Sequence, residues 1–250
     1  MKKGYTNLAR AFDALEYVKF IMSQFLNGLS PIEVKKKFIE ENPFGIKTEN
    51  SRVTYARWLL NDYTKTYDQF ELPILARLLT QDNIPQQAKR ELMFYTTCQA
   101  DKLAGLLTTN YLYPAYLNSL SSIDRNELIQ FVSQNTSLSR STVERAVIGY
   151  IMLIKKLSVV SNDSVNPLLI KYFVPKIESF AFILFLLNHR KIPPAQIIHS
   201  THFHYLFMSP IDVINSIREL ESRNLVRFAM AGDIIRLEPK ILFEELPNAL

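Results

Sequence analysis

Hydrophobic residues recur at helical spacing along almost the whole chain. The first stripe predicts an amphipathic helix that ends near Gly28. Ser30-Pro31-Ile32-Glu33 then supplies a capping serine, a proline at the first helical position and a glutamate at the third, so a second helix is predicted to begin there and to end near Glu41. A third helix is predicted over residues 50–63. The apolar positions of the first stripe are Leu8, Phe12, Leu15, Val18, Ile21, Met22 and Phe25.

The same spacing predicts further helices near residues 70–80, 85–98 and 101–107. Asp124 and Ser139 are placed to cap two helices joined by a turn of about four residues, which is a helix-turn-helix pattern. A helix at 176–188 is predicted to be buried, and Ser209-Pro210-Ile211-Asp212 repeats the earlier cap before another helix. Alternating hydrophobic residues around 231–233 then predict a β-hairpin, as in a winged helix.

The fold class predicted from these elements is all-α: a multi-helical bundle with helix-turn-helix and winged-helix elements and a short C-terminal β-hairpin. Three regions are expected, namely an N-terminal helix-turn-helix-like region over 1–68, a helical bundle with a second helix-turn-helix over 69–160, and a winged-helix-like region over 161–250. The short polar stretch 158–167 is the predicted linker.

Composition fits a globular protein with reduced thiols. The chain has 250 residues, of which 48% are hydrophobic, and Cys98 is its one cysteine, so an internal disulfide is excluded. The apolar window 177–187 is about half the length of the roughly 20 residues that a membrane span requires. Met1 leads into a charged segment and not into an apolar signal core, so we expect a cytoplasmic protein without a membrane partner.

Positive charge is concentrated in two stretches. The net charge is +5; residues 1–57 hold ten basic and six acidic side chains (+4), and residues 121–160 hold five and three (+2). A helix N-terminus with hydroxyls and arginines suits phosphate oxygens. We therefore predict contact with the phosphates of a polyanion such as a nucleic acid through ten residues of the two helix-turn-helix patterns: Lys35, Lys36, Lys47, Arg52, Tyr55, Arg57, Arg140, Ser141, Thr142 and Arg145.

Catalytic signatures are missing from the sequence. No G-x-S-x-G, phosphate-binding loop, dinucleotide fingerprint or H-E-x-x-H string occurs, so we expect a protein that is not an enzyme and has no small-molecule substrate and no cofactor. His199, His202 and His204 have spacings that a metal could use, but no nearby cysteine or carboxylate completes a site. We expect these histidines to support the backbone of a loop and expect no metal.

Several motifs follow one another along almost the whole chain. They are Leu29-Ser30-Pro31-Ile32-Glu33, Thr54-Tyr55-Ala56-Arg57-Trp58-Leu59-Leu60, Leu92-Met93-Phe94-Tyr95, Ala100-Asp101-Lys102-Leu103, Leu138-Ser139-Arg140-Ser141-Thr142-Val143 and Ala231-Gly232-Asp233-Ile234-Ile235-Arg236-Leu237. Their order resembles the BrxA family of the BREX bacteriophage-exclusion systems, a group once labelled inner-membrane proteins on hydropathy.

This resemblance implies a helical, NusB-like bundle that binds double-stranded DNA without catalysis. It also implies that the protein acts together with the other BREX components, which include an ATPase, a methyltransferase and a phosphatase-like protein. Two alternatives stay open at the level of sequence. One is a protein-protein interaction scaffold within the defence complex, and the other is an RNA-binding, antitermination-like factor.

Overall fold

A computed structural model describes residues 14–232 and 234–250. Leu8 and Phe12 of the first hydrophobic stripe and Asp233 of the hairpin motif lie outside these residues. The described chain is mostly helical, with a two-stranded antiparallel hairpin near the C-terminus, which confirms the predicted all-α class.

Most of the predicted helices are present, and their observed ends differ from the predicted ends by up to three residues. The helices are α1 (Leu15–Leu26), α2 (Pro31–Glu41), α3 (Glu49–Thr66), α4 (Glu71–Thr80), α5 (Gln86–Ala100), α6 (Lys102–Leu107), α7 (Tyr113–Leu117), α8 (Arg125–Asn135), α9 (Arg140–Lys156), α10 (Ile177–His189), α11 (Pro194–Ile198), α12 (Pro210–Ser222) and α13 (Leu246–Ala249). A π-helical turn, Thr108–Leu112, joins α6 to α7, and short 3-10 turns cover Thr201–Leu206 and Phe243–Glu245.

Two small antiparallel sheets complete the described chain. β1 (Ser122–Ile123) pairs with β2 (Leu168–Leu169), and β3 (Val226–Ala231) pairs with β4 (Ile234–Pro239). In the second sheet Val226 lies opposite Pro239 and Ala231 opposite Ile234. This hairpin follows α12, as the alternating pattern predicts.

The first hydrophobic core joins the two ends of the chain. Buried side chains of α1 to α5 pack with those of α10, α12 and β4, among them Ile21, Leu78, Phe182 and Ile217. All positions of α10 from Ser179 to Leu187 are buried, which explains its continuous apolar run. Among residues 14–232 and 234–250, no helix combines the length and the apolar character that crossing a bilayer requires.

The second core is built from the middle of the chain. It contains Phe94 and Cys98 of α5 together with buried residues of α6 to α9 and of the segment 157–173. α5 therefore serves both cores, because Leu92 and Tyr95 face the first core. The cores divide the chain differently from the three predicted regions, since α10 to α12 share a core with α1 to α4.

Both predicted capping boxes are present. Ser30 Oγ accepts the Glu33 amide while Glu33 accepts the Ser30 amide at 2.7 Å. Ser209 and Asp212 make the equivalent pair at the start of α12, with the Ser209 amide donating to Asp212 Oδ2 at 2.8 Å. Local sequence therefore fixes where these two helices begin.

The predicted linker at 158–167 is wrong. Val159 and Val160 are buried in the second core, and the backbone of this stretch pairs with the strand that follows it. The Ser161 amide donates to Leu169 O at 2.8 Å, and the Lys171 amide donates to Val159 O at 2.8 Å. The polar composition hides a turn between two short extended segments.

Candidate nucleic-acid interface

α8 and α9 form a helix-turn-helix with residues 136–139 as its turn. Asp124 Oδ1 accepts the Asn126 amide at 2.6 Å and so fixes the start of α8. Leu128 and Val132 of α8 and Val143 and Val147 of α9 are buried in the second core. Because these positions lie on the inner faces, the first turn of α9 is left on the surface.

The first turn of α9 gathers hydroxyls and guanidinium groups. The side chain of Arg140 is 91% exposed, and its Nε donates to Glu144 Oε1 at 3.1 Å. Arg145 is exposed, and its Nε donates to Ser141 O at 3.1 Å. The hydroxyls of Ser139 and Thr142 lie 2.9 Å apart. An exposed pair such as Arg140–Glu144 contributes little stability, so the guanidinium can exchange this carboxylate for a phosphate.

The outward face of α9 continues with two apolar side chains that the sequence reasoning missed. Ile148 and Met152 are exposed, and they follow Arg145 at the spacing of one helical stripe. Apolar side chains beside arginine on a helix suit the major groove, where they can contact thymine methyl groups. The signal that could have found them is a second apolar stripe on α9, offset from the buried stripe.

The second basic surface lies on α2, α3 and the loop between them. Lys36, Lys47 and Arg57 are exposed, and Lys35 is half-buried. Lys36 Nζ lies 3.9 Å from Glu40 Oε1, which is a loose surface pair. These four cations lie on elements that pack together through Val34, Phe38 and Ala56.

Arg52 and Tyr55 have a different position from the other predicted residues. Arg52 is half-buried, and its Nη1 donates to Ile39 O near the end of α2 at 2.8 Å. Tyr55 is half-buried and meets the ring of Tyr17 edge-on at 6.3 Å. Because helix ends leave carbonyl groups without intrahelical partners, Arg52 serves here to fasten α2 to α3.

The two basic surfaces lie on helices of different cores, α2 and α3 in the first and α9 in the second. α3 and α9 approach each other where Trp58 and Leu59 border the same cavity as Leu153 and Leu157. Arg140 precedes Leu153 by 13 residues, which places the first turn of α9 about 20 Å farther along the helix.

α12, the helix that precedes the C-terminal hairpin and belongs to the predicted winged-helix-like region, carries the opposite charge. α12 holds Asp212, Glu219 and Glu221 against Arg218 alone, which gives a net charge of −2. This charge repels phosphate, so α12 is a poor recognition helix for DNA. Arg236 on β4 lies 3.7 Å from Glu238 Oε1.

The histidines near residue 200 have separate surroundings. His202 Nδ1 and Tyr95 Oη are joined by a hydrogen bond of 2.5 Å. The ring of His204 stacks on Tyr113, and His199 is exposed. Within the described part of the chain, Asp68, Glu71 and His189 are the three side chains whose ligand atoms lie close enough to share a metal ion.

That triad is already engaged within the fold. Glu71 is held by Arg190, and Asp68 Oδ1 accepts the amides of Phe70 and Glu71. Asp68 thus caps the start of α4, and Glu71 belongs to an ion pair with Arg190.

The exposed first turn of α9 and the cations around α2 and α3 are therefore the candidate interface. Comparison of the chain with protein-family models and with curated proteins finds no match of either kind.

Proposed function

We propose that this chain is a non-enzymatic, double-stranded DNA-binding accessory protein that acts in the cytoplasm within a BREX-type bacteriophage defence system. The observation that carries DNA binding is the exposed first turn of α9, where Arg140, Ser141, Thr142 and Arg145 surround a helix N-terminus. The defence role and the other BREX components as partners follow from the family resemblance of the motifs.

The physical basis of the proposal is phosphate recognition. A helix N-terminus carries partial positive charge and unpaired amides, and both favour a phosphate oxygen. Arg140 and Arg145 add charge there, while Ile148 and Met152 lie on the part of α9 that would enter a groove. Lys35, Lys36, Lys47 and Arg57 add a second set of backbone contacts.

The test is a salt titration of binding to a duplex. With about six phosphate contacts, the logarithm of affinity should fall with the logarithm of salt concentration at a slope near −5. Reversing both Arg140 and Arg145 to glutamate should weaken binding at least about tenfold and make the slope shallower by about 2. Fluorescence anisotropy with a labelled duplex measures both quantities.

Arg223→Glu is the matched control, because Arg223 also pairs with a glutamate four residues away on an exposed helix surface. This variant should bind DNA like the parent protein. A flat salt response, or equal losses in the control and in the R140E/R145E variant, would contradict the proposal. Competition with duplex RNA distinguishes a DNA-binding protein from an RNA-binding factor.

A protein-interaction scaffold is the second candidate function, and the acidic surface of α12 favours it. Retention of partner proteins after nuclease treatment, together with no mobility shift on duplex DNA, would support the scaffold over the DNA-binding protein.

A further inference from the structure

A groove of about 160 Å³ lies between α12 and residues 172–177, which lead into α10. Phe173 and Phe207 are buried residues of its lining, and the half-buried Tyr116 lies beside them. On the rim, Tyr172 is 87% exposed and Val174 is 61% exposed. Large apolar side chains with this exposure beside an aromatic groove mark a surface that other molecules can cover.

The charged side chains that line the groove are both acidic. They are Asp212 and Glu219, which lie on one stripe of α12 with Asn215 between them, and no lysine or arginine is among the lining residues. The capping bonds from the Ser209 amide and hydroxyl hold the Asp212 carboxylate in place. Glu219 pairs with Arg223 at 2.7 Å, but both side chains are nearly half exposed, so another cation can replace this partner.

The field of Asp212 reaches the aromatic side of the groove. Burial raises the pKa of the hydroxyl of Tyr116, which lines the groove, the hydrogen bond with the Phe173 backbone lowers it, and the negative charge of Asp212 raises it. The charged residues that line the groove are thus opposite in sign to the net charge of +5 that the whole chain carries.

We propose that this groove binds an arginine-bearing peptide segment of a partner protein. Carboxylates satisfy the donors of a guanidinium, and aromatic faces attract its charge and its flat surface. The groove is smaller than the 300–1,000 Å³ typical of sites for drug-sized ligands, so it fits one long side chain with its flanking backbone. Arginine suits it better than lysine because the guanidinium can stack on a tyrosine ring while it donates two parallel hydrogen bonds to one carboxylate.

A direct test uses a fluorescein-labelled hexapeptide, Gly-Leu-Arg-Leu-Arg-Gly, and the same peptide with citrulline in place of both arginines. Citrulline keeps the shape of arginine and removes its charge. Anisotropy titrations with the full chain should show saturable binding of the arginine peptide that is at least about tenfold tighter than binding of the citrulline peptide. The net positive charge of the chain opposes nonspecific binding of this peptide.

Two variants test whether the arginine peptide binds in the groove. Tyr172→Ala and Glu219→Gln should each weaken binding of the arginine peptide about fivefold or more, because each removes one recognition element from an exposed position. Glu238→Gln is the matched control, since Glu238 is an exposed acid paired with an arginine outside the groove. Binding to the control should stay within about twofold of the parent protein.

Three results would overturn the proposal: no saturable binding, equal binding of the two peptides, or equal effects of E219Q and E238Q. Sedimentation of the protein alone tests a different occupant, because a dimer that Y172A dissociates would assign the groove to a second copy of this chain. Binding of duplex DNA by Y172A should match the parent protein, so failure of the groove proposal and failure of the DNA proposal are separately visible.

Discussion

Replacement of Arg190 by methionine is expected to lower the free energy of unfolding by about 3–5 kcal/mol. Arg190 Nε donates to Glu71 Oε1 and Nη2 donates to Glu71 Oε2, both at 2.7 Å. The Glu71 side chain is only 4% exposed, and Arg190 Nη2 also donates to Thr66 O. Methionine would fill part of the space but would leave a buried carboxylate without its counter-ion.

Urea unfolding, followed by circular dichroism, measures this loss. Arg223→Met is the control, because it breaks an exposed pair of the same kind and should change stability by no more than about 1 kcal/mol. The double variant E71M/R190M removes both charges and should recover most of the loss. Similar losses for R190M and R223M would show that the buried pair contributes no more than a surface pair.

Replacement of Glu91 by glutamine is expected to change how stability depends on pH. Glu91 is buried on α5, and its Oε2 accepts hydrogen bonds from the Lys176 amide at 2.8 Å and from the Ser179 hydroxyl, at the start of α10. Burial raises the pKa of Glu91 to about 7, against the lowering effect of these hydrogen bonds. The contribution to stability is thus fully present below the ordinary pKa of about 4.5 and is lost as pH rises through 7.

His202 acts in the opposite direction over nearly the same range. Burial, with a smaller effect from the charge of Arg190, lowers the pKa of His202 to about 4. Its contribution is present above the ordinary value of 6.5 and is lost as pH falls through 4. The two groups oppose each other, so the parent protein alone would show a shallow profile between pH 4.5 and 6.5.

The difference between E91Q and the parent protein isolates Glu91. The free energy of unfolding of E91Q, relative to the parent, should increase by about 3 kcal/mol between pH 4.5 and 8, because 2.5 pKa units correspond to that energy. Urea titrations at four or five pH values give this difference. Parallel profiles for the two proteins would mean that Glu91 has an ordinary pKa in the folded state.

Sequence patterns that involve only a few neighbouring residues correctly predicted where helices begin. The boxes at Ser30 and Ser209 each satisfy amides within one helical turn, so the pattern alone fixes the start of α2 and of α12. The stretch 158–167 failed because its short side chains look like a loop, whereas Val159 and Val160 are fixed by contacts with residues about ten positions later. The sharing of a core by α1 to α4 and α10 depends on contacts across about 100 residues, which no local pattern contains.

The candidate interface was predictable in part. Helical periodicity correctly placed Arg140, Arg145 and Arg57 on exposed faces. The orientation of Arg52 was not predictable, because it depends on how the end of α2 meets α3 and which carbonyl needs a donor. The acidic groove was missed because Tyr172 and Glu219 are 47 positions apart and meet only in the folded chain.

The sharing of the first core by distant helices sets the order in which the chain can fold on the ribosome. Leu79 at the end of α4 precedes α10 by about 100 residues, which take about 5–20 s to translate. During that time the apolar faces of α1, α3 and α4 lack the helix that completes their core, whereas most residues of the second core are translated before α10. The N-terminal helices are thus the part of the nascent chain that a chaperone would protect.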